Sequence, residues 1–443
     1  MLARLSRRRQ NLTLVGGGGF YQKKWKNTSV AVSGNYTDVT PLFLINKQRA
    51  DWEIPPRSEE GSVIFRHKPN KGGIIKLYTS MNHQRFVVKD FFPLDTLGNI
   101  SITRTRLNSL NLYNNASYRQ LLNDKWVLFT GASYSFDKDN IDVNGLDILG
   151  EDHRMQGKAW VSRAVGKNSK VWAGGEAHYL QNKQGFGTLT RELSDVYSAG
   201  FVESEIYLSP KIAARPGVRV ENSTLIGRTN VAPRLSFALK TGKSSSISVA
   251  AGQFYQTPSN EFTYFDQNLD FELASHLIAN YTWIKNRRTF RVEGYYKNYD
   301  NLVAFDTLQL IYPDLGLGQS AYNNTGEGYA YGVDFFWRDP ATIKNGDYWI
   351  SYSYLDTKRR YRDYPVEAVP YFASTHNASF VFKYFIAEIR CALGASYNYG
   401  SGRTFRAPFD FRDGDNFLNE TTPAFHLVSA NVSYLTTIRN NFT

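Results

Sequence analysis

The sequence predicts an all-β fold, an antiparallel barrel that crosses a membrane with strands, and three observations carry that expectation. First, apolar and polar residues alternate with a period of two over runs of roughly 9–15 residues; soluble strands average about 5–6, and a tilted membrane-spanning strand needs about 9–11. Second, the connections alternate between tight and long from one end of the chain to the other, as in barrels with short turns on one side of the membrane and long loops on the other. Third, 15% of the residues are aromatic, with 29 Tyr, 29 Phe, 8 Trp and 34 Gly. That composition suits strands and excludes simple disorder.

The 443 residues carry 52 Lys and Arg against 40 Asp and Glu, a net charge of +12. Only 42% are hydrophobic, and no apolar window reaches the length of a membrane helix. A barrel tolerates this because one face of each strand meets lipid while the other lines a wet or plugged lumen. The single cysteine, Cys391, excludes an intramolecular disulfide and a Cys-based zinc site.

Along the chain, residues 1–10 (MLARLSRRRQ) form a basic segment with no assigned structure. It begins like a signal peptide, but Asn11–Phe20 supplies neither an apolar core nor a cleavage site. Residues 11–443 read as one partial barrel. About nineteen strands are expected, starting near residues 11, 28, 59, 74, 101, 125, 153, 170, 191, 211, 231, 245, 271, 289, 322, 347, 372, 386 and 422. Representative faces are Phe290, Val292, Gly294 and Tyr296 against Arg291, Glu293, Tyr295 and Lys297, and Ile389, Cys391, Leu393 and Ala395 against Glu388, Arg390, Ala392 and Gly394. Tight turns are expected at Gly166–Ser169, Leu208–Pro210, Thr241–Ser244, Lys285–Arg287 and Lys344–Gly346. Long loops are expected at about 39–58, 85–100, 138–152, 182–190, 257–270, 302–321, 358–371 and 400–421. Aromatics near strand ends, such as Phe335/Trp337 and Tyr397/Tyr399, are placed to form interface girdles.

The binding candidates are charges on the polar face of their strands: Arg219 with Glu221, Arg291 with Glu293, Asp334 with Arg338, and Glu388 with Arg390. They either line a transport path or serve as solvated wall residues, since exposed ion pairs contribute little. Tyr361, Tyr364 and Tyr371 cluster in one long loop, where they either touch ligand or pack the loop. Asn140–Glu151 partly fits a twelve-residue calcium loop, although Asn replaces the first Asp and strands flank it; an acidic exposed loop is the simpler reading. Gly242-Lys-Ser244 is a hairpin turn, because Phe237 stands where a phosphate loop needs glycine. The seven His show no metal-ligand spacing, and no catalytic triad can be argued from alternating strands. No metal, cofactor or nucleic-acid partner is called for.

Several segments resemble the β-barrel of TonB-dependent outer-membrane receptors. Val231–Leu239, the following turn and Ile247–Pro258 look like the family's Pro-Arg strand leading to a strand that ends in an aromatic and a Pro. Leu269–His276 with Val292–Leu302 is similar to the next hairpin, and Asn323–Asp334 to a strand that opens with an Asn-x-Gly turn. The resemblance implies a barrel of about 22 strands, a plug in its lumen, and coupling to the TonB energy-transducing complex. The plug and coupling segment are missing from this sequence. Parity of the turns implies one strand absent at the start and two at the end, which brings about nineteen strands to about twenty-two. The resemblance therefore implies a non-enzymatic transporter of the bacterial outer membrane, which imports a scarce solute. Its partners would be outer-membrane lipid, its own plug, the TonB complex, and a small-molecule, glycan or peptide ligand. The rival readings are a self-contained channel, a barrel enzyme and a soluble β-protein.

Overall fold

The computed structural model describes residues 6–48, 50–69, 72–93, 100–166, 168–305, 322–405, 417–435, 437–438 and 441–442. Among the described residues twenty strands form one antiparallel sheet, in which each strand pairs with the next along the chain except where Cys391–Gly400 pairs with Phe425–Tyr434 across a short two-stranded excursion. Two compact units divide it, residues 1–202 with 219–229, and residues 203–218 with 230–443. Among the described residues no helix is long and apolar enough to cross a membrane.

In the first unit the order is β1 (Ser6–Thr13), β2 (Gly16–Lys24), β3 (Thr28–Asp38), α1 (Thr40–Ile45), β4 (Asp51–His67), β5 (Ile74–Pro93), β6 (Ile100–Leu121), β7 (Trp126–Val143), β8 (Leu146–Val165), β9 (Ser169–Phe186) and most of β10 (Leu189–Tyr207). The strand that parity counts as absent ahead of the first is in fact within the chain: it is β1, which overlaps the basic segment and pairs with β2 from Ser6↔Lys23 to Thr13↔Gly16. Strands β5 to β10 run for 18 to 22 residues. Each is far longer than the roughly 9–11 residues a bilayer needs.

That length corrects two expected loops. Residues 138–152 and 182–190 are continuous ladder closed by two-residue connections: Val143 pairs with Leu146, and Gly187-Thr188 joins β9 to β10. Asn144 and Gly145 take φ of 53° and 86°, the left-handed pair that a tight hairpin of this twist demands. The twelve-residue calcium loop is therefore not formed. Its Glu151 sits on β8 and accepts instead from Lys138 Nζ at 3.1 Å and His153 Nε2 at 3.3 Å. Most of the expected loop 85–100 is likewise strand; its residues 94–99 lie outside the described residues.

In the second unit the order is β11 (Ile212–Ser223), shared with the first, β12 (Arg228–Lys240), β13 (Ser245–Gln256), α2 (Asn260–Thr263), β14 (Glu272–Lys285), β15 (Arg288–Phe305), β16 (Tyr322–Asp339), β17 (Gly346–Arg360), β18 (His376–Ile386) and β19 (Cys391–Gly400). The short pair β20 (Thr404–Phe405) and β21 (Glu420–Thr421), then β22 (Phe425–Tyr434), β23 (Thr437–Ile438) and β24 (Asn441–Phe442), complete it. Expected loop residues 306–321 lie outside the described residues.

The tight turns have identifiable causes. Asn286 and Arg287 adopt φ of 51° and 67° between β14 and β15. The turn after β16 is clamped by Asp339, which accepts from the Ala341 and Thr342 amides at 2.9 Å each and from Arg288 Nε at 2.9 Å. Burial pushes the Asp339 carboxyl up, but these donors and the Thr342 hydroxyl outweigh it and hold the group well below the usual carboxylate range.

The period of two sorts each unit into two faces. In the first, Val32, Val63, Leu77, Met155 and Tyr179 are exposed on one face, while Lys158 and Glu176 pair on the other. In the second, Leu277, Tyr296, Tyr331, Val333, Ile350, Tyr352 and Phe380 lie exposed on one face. Exposed apolar side chains in such continuous bands are what contact with hydrocarbon requires. An aromatic cluster ends the band on the tight-turn side, where Trp283 stacks on Trp337 at 6.2 Å and Phe290 meets Phe335 edge-on at 5.5 Å.

Candidate functional site: the polar wall and the loop cap

The polar face of the first unit holds a charged network assembled from four strands. Arg219 on β11 bonds Glu221 on its own strand, Glu176 of β9 at 2.5 Å and the Tyr197 hydroxyl of β10 at 3.1 Å. Lys158 of β8 reaches the other oxygen of Glu176 at 2.9 Å, and His178 lies 3.6 Å from that carboxylate. The Arg219, Glu176 and Glu221 side chains are only 16%, 10% and 6% exposed. This pairing is what buried charge requires, since an uncompensated ion in such a site costs several kcal/mol. One atom escapes it: Glu221 Oε2 is buried with no hydrogen-bond partner among the described residues.

The other predicted pairs are not brought together. Arg338 forms a fork with Asp347 across the tight turn, at 3.0 and 2.6 Å, and does not pair with Asp334. Asp334 stands opposite Glu293 in the β15–β16 register, and Glu293 accepts from Asn280 Nδ2 at 3.2 Å. Arg291 faces Thr282 and Phe336 and makes no ion pair among the described residues. Residues two apart on a strand share a face at nearly 7 Å, whereas directly opposed residues stand about 4.5–5.5 Å apart, so the register chooses the partner.

Glu388 and Arg390 are a correction. The β18–β19 ladder closes at Ile386↔Cys391, so both sit in the tight turn Ala387–Arg390 rather than on the wall. Arg390 takes φ of 52°, which ends the alternation, and its carbonyl accepts from the Leu435 amide at 2.9 Å.

Tyr361 and Tyr364 are buried in the connection after β17. They pack with Leu302, Ala368, Phe417 and Leu418, with ring separations of 4.9 Å to each other and 5.0 Å from Tyr364 to Phe417. Burial pushes both hydroxyls above the ordinary tyrosine range. Tyr371, in the same connection, is exposed. A second small core of Phe262, Leu269 and Val303 lies against Phe305 and Tyr322. Arg362 ties the two connections together, bonding Glu261 at 2.8 Å while its amide donates to the Val303 carbonyl at 2.7 Å. The long connections of this unit thus form an ordered cap.

Three participants escaped the sequence reading: Lys158, Glu176 and Tyr197 come from strands remote in sequence and join Arg219 only through the register. No signal in the chain announces that. Among the described residues no group of three or more His, Cys, Asp and Glu side chains is placed to hold a metal ion.

With this geometry in hand, comparison with known proteins is direct. Residues 9–443 match the family model described as TonB dependent receptor-like, beta-barrel. Among curated proteins, none matches the chain in sequence. Similar solved structures include the ferric-catecholate import receptor Fiu from E. coli K12 in its closed form, with a TM-score of 0.74 at 9% identity over 98% of this chain and 75% of that one. The siderophore receptor PiuA from Acinetobacter baumannii gives 0.71 at 12% identity, over 97% and 74%. The FrpB iron transporter from Neisseria meningitidis gives 0.72 at 10%, over 97% and 74%. At such identities the likeness establishes the fold, and the family model, spanning nearly the whole chain, establishes membership: this chain belongs to the TonB-dependent receptor β-barrel family of the bacterial outer membrane.

Proposed function

We propose that this barrel captures a scarce solute at the cell surface and imports it with energy drawn from the TonB complex, acting as a transporter and not as an enzyme. The observation that carries this reading is the network around Arg219. A wall built only to meet water has no need of an arginine and two glutamates so nearly dehydrated. Glu221 Oε2, buried and unpartnered, offers one acceptor to a donor arriving from the lumen, and a plug segment of the receptor fits that role.

Arg291, Glu293 and Asp334 are the wall residues that a passing ligand would meet, because neighbouring side chains leave their charges largely uncompensated. Arg338 is committed to Asp347, and Tyr361 and Tyr364 hold the loop cap in shape rather than touching ligand themselves.

Uptake by cells expressing the protein tests the reading. Accumulation of the solute should disappear when the TonB complex is removed or when a protonophore collapses the inner-membrane gradient. Uptake that survives both treatments, together with steady conductance in planar bilayers, would instead identify a self-contained channel.

A further inference from the structure

On the polar face of the second unit, one cavity differs in chemistry from the charged wall. Three strands stack two rows of small polar side chains in register: Ser351, Ser379 and Asn398, then Ser353, Asn377 and Gly400. They line a space of about 560 Å³, with Arg403 and Phe425 at its edge. That size falls within the ~300–1,000 Å³ of small-molecule sites.

The amides are oriented by their own bonds. Asn398, which lines the space, accepts at Oδ1 from Ser379 Oγ at 2.8 Å, which leaves its NH2 as a donor. Asn377 spends its NH2 on the Ser374 carbonyl at 3.2 Å, which leaves Oδ1 as an acceptor. One donor and one acceptor therefore stand in adjacent rows, beside the hydroxyls of Ser351 and Ser353. The Ser374–Ser401 clasp, 3.1 Å between hydroxyls, holds the loops that border the space. Among the described residues no carboxylate lines the cavity, and Arg403 is its one charged side chain. Phe425 exposes its ring at the rim.

We propose that this cavity binds a hydroxyl-rich ligand of saccharide type. Paired donors and acceptors match the adjacent hydroxyls of a sugar ring, and an exposed aromatic face suits its C–H side. A polyanionic iron chelate would meet a single cation. The proposal deepens the receptor reading and rests on it.

Saturation-transfer NMR on the protein extracted from the outer membrane in detergent tests it, with maltotriose, cellotriose and N-acetylchitotriose as probes, and a ferric tris-catecholate and a tripeptide as competitors. At least one trisaccharide should receive saturation at its ring protons, and Asn398→Ala and Phe425→Ala should each cut that signal at least fivefold while the β-sheet circular dichroism is unchanged. No transfer to any trisaccharide, or transfer that persists in both variants, overturns the assignment. A catecholate or tripeptide that binds, and is lost in the same variants, also overturns it but leaves the receptor reading standing. TonB-independent uptake removes the receptor reading while the saccharide signal still stands.

Discussion

The guanidinium of Arg359 lies 4.2 Å from the ring centre of Tyr299 and also faces Phe372 at 5.3 Å and Tyr361 at 5.7 Å. Its backbone exchanges hydrogen bonds with Ala368, at 2.9 and 3.0 Å, so one residue joins the wall to the connection that follows β17. A planar, weakly hydrated cation suits a site among rings better than a compact ammonium does. Arg359→Lys should therefore loosen the cap by about 0.5–2 kcal/mol, the span of cation–π contacts from exposed to desolvated. Hydrogen exchange at the Ala368 amide reads this directly, and unchanged protection would show that the rings do not hold the loop.

Arg219 carries the largest expected energetic effect. Replacing it by Met leaves Glu221 without its cation and Glu176 with Lys158 alone. Breaking a buried pair from one side typically costs about 3–5 kcal/mol. Loss of heat-modifiable folded protein on gels should accompany Arg219→Met, and Arg219→Met with Glu221→Gln should recover part of it. Equal behaviour of the single and double variants would mean that the charges are not coupled.

Within the bilayer the sequence could be read because hydrocarbon enforces a period of two: Val292, Phe290 and Tyr296 have to share a face. Above it that constraint ends. In β7 and β8 the stretch from Lys138 to Glu151 is dense in charge around an Asn-Gly turn, and its apolar face is only the short row Ile141, Val143, Leu146 and Ile148, so it reads as a loop although its backbone continues the ladder. The ion pairs were illegible for a different reason. Arg219 with Glu176, and Arg338 with Asp347, are choices of register, and register is a property of two strands together. Of the four expected pairs, Arg219 with Glu221 is the one that forms among the described residues.

Glu53, at the far end of β4, accepts from Arg104 at 2.8–3.2 Å and from Lys89 at 2.9 Å. Hydrogen bonds from Arg104, then from Lys89, hold its carboxyl down at about 2. A depressed carboxylate contributes stability above the unfolded value near 4.3, and that contribution is lost as pH falls toward 2. Thermal midpoints of Glu53→Gln and the native chain should differ by a constant amount above about pH 5 and converge in more acidic solution. A gap that stays constant down to pH 2 would exclude this linkage.

Glu272, the first residue of β14, shows the opposite sign. Burial raises its carboxyl above the ordinary value, only partly offset by the Val303 amide, which donates to Oε1 at 3.0 Å, and by the charges of Arg359 and Arg362. Between the unfolded and folded values the native state binds the extra proton, so stability falls as pH rises through that window. Glu272→Gln keeps an oxygen for the Val303 amide and removes the charge. It should match the native chain near pH 4 and become progressively more stable than it toward neutrality, by on the order of 1 kcal/mol for each unit the carboxyl is raised. Thermal midpoints measured across that range check the sign, and a variant that is less stable at pH 7 would mean that the ionised carboxylate is held by Arg359 and Arg362 more strongly than burial disfavours it.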